Sequence, residues 1–404
     1  MNLSVAYNFD IGLIGELAKI PEVREVYGKM TMDHIGGGRS NYTFNHVNPN
    51  QLRASVLEAH RRGLQFNYLL NAASLYGIEQ TRSGQRKIRA SLDFLSDVKV
   101  DSITVSSPYL LQIIKRNYSH FKVKVSAFTV IDNGAKAKSW EAMGADALCI
   151  SAIACNRNFD LLKSIRDSVK CECILIANAS CLQSCPYELT HMHLLSNNSR
   201  KEDPLNGFCI DYCFLHCSNK RLKEPVNYIR SIWIRPEDLY IYEKLGYLTF
   251  KLVERSCPSE LILKRTKAYA DRSFEGNLLE LVGPVASIKK DLNVRSGQGL
   301  KLIFTMFKPS KVKISSLLLM KRYAEKIMSY DFLKENAGVY IDNRSLDGFL
   351  EVIKGHNCSV QKCSTCAICE EWTRKSLTFN KNYRTDTLRM AEQLNKGLLT
   401  GDFF

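Results

Sequence analysis

The sequence contains no run of about 18 apolar residues, so no membrane-spanning helix is expected. Its first twenty residues lack a basic n-region and include Asp10 and Glu16, which counts against a secretory signal and predicts a cytoplasmic protein. No G-x-G-x-x-G follows the first strand-like run, which lowers a dinucleotide-binding sheet among the options. Neither an internal repeat nor a low-complexity tract stands out. Acids are in deficit: 41 Asp and Glu face 56 Lys and Arg, for a net charge of +15. Either a solvated basic surface or an anionic partner such as RNA would account for that surplus. It is densest from Lys289 to Arg322, where nine basic residues accompany a single acid, Asp291, but no RNA-binding motif goes with it.

What is present is the composition of a globular chain. With 404 residues, 45% hydrophobic and 24% charged, it suits two or three domains, or one large barrel plus an appendage. Either can bury a core without disulfides. Short β-branched runs recur at Leu3–Asn8, Val26–Met30, Phe66–Asn71, Ser102–Ser106, Val123–Ile131, Ala147–Ser151, Cys173–Ala177 and Leu248–Val253. Amphipathic stretches lie between them, among them Pro49–Arg62, Gly84–Leu95, Tyr109–Arg116, Ala135–Met143 and Asp160–Val169. Such alternation predicts an α/β fold, a TIM-like (β/α)8 barrel over residues 1–276. The segment from about 179 to 247 follows the seventh strand and is too long for a plain connection, so it reads as a cysteine-rich insertion at the barrel mouth. Residues 277–404 read as a smaller C-terminal domain, with a basic, partly β portion at Leu300–Ile314 and helices near Leu317–Tyr330 and Thr387–Leu398.

Cysteine is the most informative residue. There are 14, none before Cys149, and in a reducing compartment such an excess points to metal binding or catalysis. Cys358, Cys363, Cys366 and Cys369 form a C-x4-C-x2-C-x2-C array that suits one [4Fe–4S] centre or one zinc. Cys181, Cys185, Cys209, Cys213 and Cys217 offer five candidates for at most four positions. The symmetric choice is Cys181 with Cys185 and Cys213 with Cys217, because an i, i+4 pair on a helical turn points both thiolates the same way. Buried structural cysteines beside Phe208, Tyr212 and Phe214 are the alternative. Cys149, Cys171 and Cys173 read as structural, and Cys155 and Cys257 as loop residues.

The run Ile176-Ala177-Asn178-Ala179-Ser180-Cys181-Leu182-Gln183-Ser184-Cys185-Pro186-Tyr187, continuing to His191, resembles the cysteine motif of the collagenase-like peptidase (U-32) family. Trp233-Ile234-Arg235-Pro236-Glu237-Asp238-Leu239, with Tyr242, resembles that family's I-R-P-E-D-L signature. Phe250-Lys251-Leu252 with Arg255 resembles its F-K-x-x-G-R strand, with Glu254 where glycine is usual. Asp33-His34-Ile35-Gly36-Gly37-Gly38-Arg39 resembles its glycine-rich loop after the second strand. The resemblance covers roughly residues 1–280 and implies a TIM-like barrel with a [4Fe–4S] cluster on the Cys181/Cys185 side.

The family name says peptidase, yet the sequence has neither an H-E-x-x-H zinc motif nor a G-x-S-x-G elbow. Better-understood relatives hydroxylate ubiquinone precursors, tRNA or ribosomal RNA without oxygen, some with prephenate as the oxygen source. The resemblance therefore implies an iron–sulfur oxidoreductase acting by hydroxylation or a related redox step on an RNA, a peptide or a small acid, with an electron donor. In that reading two [4Fe–4S] clusters sit on Cys181, Cys185, Cys213 and Cys217 and on Cys358, Cys363, Cys366 and Cys369, zinc being the alternative at the second. Arg235 would clamp an anion, Glu237 or Asp238 would serve as general base, and His191 would donate a proton. Helix N-terminal charge is the bland role for Glu237 and Asp238, with Pro236 at the first helical position. A peptidase with structural metals, and a metal-stabilised binding module for nucleic acid or a carrier peptide, are the competing readings.

Overall fold

Eight short strands place alternate side chains on opposite faces, and their outward set is strongly apolar: Val5, Val26, Phe66, Ile103, Val123, Leu148, Leu175 and Phe250 are all buried. In the computed structural model these strands are β1 Asn2–Ala6, β2 Val23–Gly28, β3 Gln65–Leu70, β4 Ser102–Val105, β5 Lys122–Val125, β6 Ala147–Cys149, β7 Glu172–Ile176 and β8 Thr249–Leu252. They close in sequence order into a parallel barrel, with β8 pairing back onto β1 through Leu3 and Phe250. The structure describes residues 1–31, 33–41, 46–203, 210–284, 312–328, 338–356, 358 and 363–404. Among these, no helix is long and apolar enough to cross a membrane.

Helices follow the strands, and side-chain caps fix where several of them start. Asn48 forms a reciprocal capping box with Gln51 ahead of the helix Pro49–Arg61, while Ser107, Asn133 and Asn158 cap Pro108–Asn117, Gly134–Ala142 and Phe159–Ser168. The expected long strand Val123–Ile131 is cut short at Val125. There Ser126 Oγ accepts the Phe128 N–H and opens a 3-10 turn at Ala127–Thr129, which ends at Val130 with φ +49°. Cys155, expected in a loop, instead closes the short helix Ala152–Cys155 that Ser151 caps, and it is buried.

The chain forms two compact units that do not follow a single cut after residue 276. The first holds Met1–Cys209, Ile232–Phe274 and Gly348–Cys366; the second holds Ile210–Ser231, Glu275–Asp347 and Ala367–Phe404. Part of the expected insertion thus belongs with the C-terminal region, and part of the expected C-terminal domain belongs with the barrel. Packing within the first unit shows why. Phe349 sits 5.8 Å from Trp233, ring centre to ring centre, and the Arg157 guanidinium lies 4.4 Å over Trp233 and 5.6 Å over Phe349. Tyr240 OH also donates to the Glu351 carboxylate.

In the second unit, Leu215 and Leu222 on the helix Tyr212–Lys223 share a core with Tyr323 and Ile327 on Ile314–Met328 and with Ala391 and Leu394 on Lys381–Thr400. Ser218 Oγ and Tyr323 OH are 2.7 Å apart. Val339–Ile341 and Leu377–Phe379 pair as an antiparallel ribbon that Asn277 joins at Val339 O and Ile341 N. Most of the expected β portion Leu300–Ile314 and of the basic stretch Lys289–Arg322 lies outside the described residues.

Candidate active site in the barrel lumen and mouth

TIM barrels usually fill the lumen with branched apolar side chains. Here the inward positions are largely polar. At the deepest level the Glu25 carboxylate accepts from Ser4 Oγ at 2.7 Å, Asn67 Nδ2 at 3.3 Å, Ser102 Oγ at 3.2 Å and Lys124 Nζ at 2.6 Å. Burial acts to raise the Glu25 pKa, but the Lys124 ammonium and these hydrogen bonds more than offset it, and the net shift is downward. Asn67 and Thr104 exchange hydrogen bonds beside it.

One level up, Tyr27 OH donates to Leu252 O at 2.9 Å, and the Lys251 ammonium lies 4.0 Å over the Tyr27 ring. Burial lowers the Lys251 pKa and raises those of Tyr27 and Cys149. Cys149 packs with Ala147 and Ile174 on the opposite wall.

At the mouth, Asp33 anchors the glycine-rich loop. Its Oδ2 lies 3.0 Å from Lys29 Nζ and accepts from Tyr68 OH at 3.1 Å; its Oδ1 accepts from Ile35 N at 3.1 Å and Gly36 N at 2.5 Å. Burial pulls the Lys29 pKa down against the pull of Asp33. The loop is held from above by residues trailing the helix Glu188–Asn197. Ser199 Oγ bridges Gly37 N at 2.6 Å and Gly37 O at 3.0 Å, and Asn41 N donates to Asn198 O. Gly36 has φ +85°, and a Cβ there would stand 2.7 Å from Ser199 Oγ, so both backbone and space call for glycine.

Glu254, in the place where the resembled strand carries glycine, keeps a positive φ of 92°. Its carboxylate lies 3.4 Å from Arg39 Nη2 and accepts from Ser256 Oγ at 2.7 Å. Burial pulls the neighbouring Arg255 down to about 10.

The expected site residues take varied places. Arg235 is 1% exposed and grips Asp238 through Nε at 2.7 Å and Nη2 at 3.1 Å. Glu237 Oε1 accepts the Phe274 N–H at 2.7 Å. The I-R-P-E-D-L run is thus a 3-10 turn, Pro236–Asp238, with Pro236 in its first turn, leading into the helix Leu239–Glu243. These contacts commit the Arg235 fork to an internal carboxylate and Glu237 to a backbone N–H, and Asp238 makes no side-chain cap bond to the helix it precedes. His191 is half-buried on Glu188–Asn197. Glu188, on the same helix, receives a hydrogen bond from Ser151 Oγ at 3.4 Å, and burial raises its pKa.

Cys181 is exposed and Cys185 half-buried in the loop after β7, where Cys181 O accepts from Ile232 N. In the second unit Cys213 and Cys217 lie one helical turn apart on Tyr212–Lys223, with Arg221 Nη1 3.7 Å from Cys217 Sγ. Cys209 lies outside the described residues. Cys358, Cys363 and Cys366 belong to the barrel unit and Cys369 to the other. Burial raises the Cys358 pKa, the neighbouring Cys363 and Cys366 raise it further, and a hydrogen bond with Gln183 opposes them. Gln183 lies between Cys181 and Cys185, so these distal thiols approach the proximal loop inside one unit, which their spacing in sequence did not foretell. Among the described residues, no three His, Cys, Asp or Glu side chains are grouped closely enough to hold a metal ion.

Glu25, Lys29, Asp33, Tyr68, Lys124 and Lys251 were not foreseen as site residues. Polar–apolar alternation along β5 and β8 was a signal for Lys124 and Lys251, the latter also within the resembled F-K strand, whereas Glu25 beside Arg24 gave none. At the opposite end of the barrel, a cleft of about 420 Å³ is lined by Gln65, Ser96, Lys99, Asp101, His120 and Lys122. Ser96 Oγ lies 3.1 Å from His120 Nε2 there, while Asp101 pairs with His60 at 2.9 Å instead of completing a triad with His120.

The pattern of peptidase family U32 matches residues 34–253. An uncharacterized protease of Methanocaldococcus jannaschii is 27% identical over 372 residues, 90% of this chain and 94% of the relative. The tRNA hydroxylation protein P of Haemophilus influenzae is 27% identical over 176 residues, 43% of this chain and 34% of that protein. A solved U32 peptidase aligns at a TM-score of 0.47 with 22% identity, covering 64% of this chain and 94% of its own.

Proposed function

The chain belongs to peptidase family U32, and from that premise we propose that it is a modifying enzyme that hydroxylates, or otherwise oxidises, an RNA base with the help of an iron–sulfur cofactor. The observation that carries this reading is the similarity to the tRNA hydroxylation protein P. The net charge of +15 supports a polyanionic substrate. Lys29, Arg39 and Arg255 near the mouth suit an anionic group there, and the loop Asp33–Arg39, closed by Ser199, would screen a bound base from water.

The iron–sulfur part rests on the cysteine spacing. Cys181 with Cys185, Cys213 with Cys217, and the Cys358–Cys369 array are the thiolates offered. A cluster bound by them would supply one-electron redox chemistry. In this reading Arg235, Glu237 and Asp238 hold the turn beside β7, and substrate anchoring falls to the mouth cations.

The test pairs metal analysis with nucleoside mass spectrometry. Protein purified without oxygen should contain iron and acid-labile sulfide, and tRNA or ribosomal RNA from cells lacking the gene should lose a modification one oxygen heavier than its precursor. Stoichiometric zinc without sulfide, together with unchanged RNA, would refute the proposal.

A second reading, peptide hydrolysis, is favoured by the name of the Methanocaldococcus relative. Its test is air-exposed, chelator-treated protein assayed against gelatin and a peptide library. Robust cleavage there would establish hydrolysis independent of any cluster.

A further inference from the structure

Three lysines line the lumen and mouth, and they are not equivalent. Lys29 and Lys124 each hold a carboxylate, Asp33 at 3.0 Å and Glu25 at 2.6 Å. Lys251 makes no such ion pair among the described residues; its neighbour is the face of Tyr27 at 4.0 Å. It sits on β8, on the same face as Thr249, whose hydroxyl bonds Glu172 of β7. Being half-buried inside a closed barrel, it exposes its remaining surface to the lumen. Charge around it is unbalanced. Among the described residues, Lys29, Arg39, Lys124, Lys251 and Arg255 outnumber Glu25, Asp33, Glu172 and Glu254, leaving an excess of one positive charge (five minus four).

We propose that Lys251 is a nucleophile that forms an imine with a small anionic carbonyl compound, such as an oxo acid, admitted to the barrel lumen. Lysine becomes nucleophilic when desolvated or set beside other cations, because both favour the neutral amine. The first condition holds here: burial lowers the Lys251 pKa, and although Cys149 and Glu25 oppose it more than Lys124 and Arg255 add to it, the net shift is downward. In the reaction the Nζ lone pair attacks the carbonyl carbon and a C–N bond forms. The carbinolamine then loses the former carbonyl oxygen as water, which takes both amine hydrogens, and leaves C=N. No oxidant or reductant is needed. The surplus positive charge would hold the acid group of the ligand, and the Tyr27 face would flank the reacting carbon.

This inference does not rest on the redox reading, and its readout involves no cluster. Intact protein is incubated with pyruvate and sodium borohydride, which delivers hydride to the imine carbon and fixes it as a secondary amine, and the labelled peptide is then identified by mass spectrometry. Labelling at Lys251 should exceed that at any surface lysine several-fold near neutral pH, because a lowered amine pKa leaves more of the neutral amine there. Acetone, neutral and of similar size, should label Lys251 far less. Lys251→Arg should abolish that adduct while circular dichroism stays unchanged. As a check that needs no variant, the pH profile of Lys251 labelling should rise below the ordinary lysine value of 10.5. Labelling of Lys251 no faster than of surface lysines overturns the nucleophile, and equal labelling by acetone overturns the anionic ligand.

Discussion

Arg235 and Asp238 form a buried two-point ion pair within one turn, Nε to Oδ2 at 2.7 Å and Nη2 to Oδ1 at 3.1 Å, with side chains 1% and 7% exposed. The turn lies beside the barrel: Ile234 N donates to Ala177 O, just past β7, and Tyr269 OH donates to Ile234 O. A guanidinium so engaged fixes the backbone that carries it.

Arg235→Lys therefore acts on stability. Lysine keeps the charge but cannot match both carboxylate oxygens, and about 1–3 kcal/mol of barrel stability should be lost. Asp238→Ala strands a buried guanidinium and should cost about 3–5 kcal/mol. Urea denaturation, followed by amide exchange in β1 and β8, measures both. Unchanged stability in Arg235→Lys would return the residue to a substrate-binding role.

The fold was legible because each strand is a short apolar run bounded by turn residues and each helix has its own period. Pro236 marked the turn, but not that Asp238 would pair with Arg235 or Glu237 with the Phe274 N–H. The lumen could not be read so. Glu25, Lys124 and Lys251 share their strands with Arg24, Lys122 and Thr249, and their meaning depends on partners from other strands, as when Lys251 of β8 covers Tyr27 of β2. The cysteine spacing gave arrays without showing that Cys358 meets Gln183.

Glu254 offers a test of stored backbone strain. At φ +92° a side chain costs about 1–3 kcal/mol, and glycine would relieve it. Glu254→Ala loses the Arg39 and Ser256 contacts and keeps the strain, while Glu254→Gly loses the same contacts and sheds it. The glycine variant should be the more stable of the two by about 1 kcal/mol in thermal or urea unfolding. An alanine variant as stable as the glycine variant would mean that the backbone relaxes without cost.

Glu25 should govern the acid limb of barrel stability. Burial acts to raise its pKa, but Lys124 and the hydroxyl donors bring it below the ordinary 4.5. The unfolded chain then binds the proton more readily, so the stabilisation is complete above 4.5 and disappears as pH falls through the folded value. Glu25→Gln should flatten that limb and, by leaving Lys124 buried without a counter-charge, cost about 3 kcal/mol at neutral pH. Parallel acid limbs in variant and wild type would show that other carboxylates set the acid sensitivity.

Lys251 should act on the alkaline side, where stability again rises with pH. Its folded pKa lies below 10.5, so between the two values the unfolded chain binds more protons and stability rises with pH. At neutral pH the folded barrel bears the cost of a charged, desolvated ammonium without a close carboxylate. Lys251→Met fills a similar volume without that charge. It should stabilise the neutral-pH barrel by on the order of 1 kcal/mol and remove the alkaline gain. The comparison must be a difference between variant and wild type at each pH, because Tyr27 and Cys149 have raised pKa values and pull wild-type stability down at high pH in both proteins. Stability that persists in Met while pyruvate labelling disappears would identify Lys251 as a residue kept for chemistry at the expense of the fold. A methionine variant less stable than wild type at neutral pH would instead make the ammonium a structural partner of the Tyr27 ring.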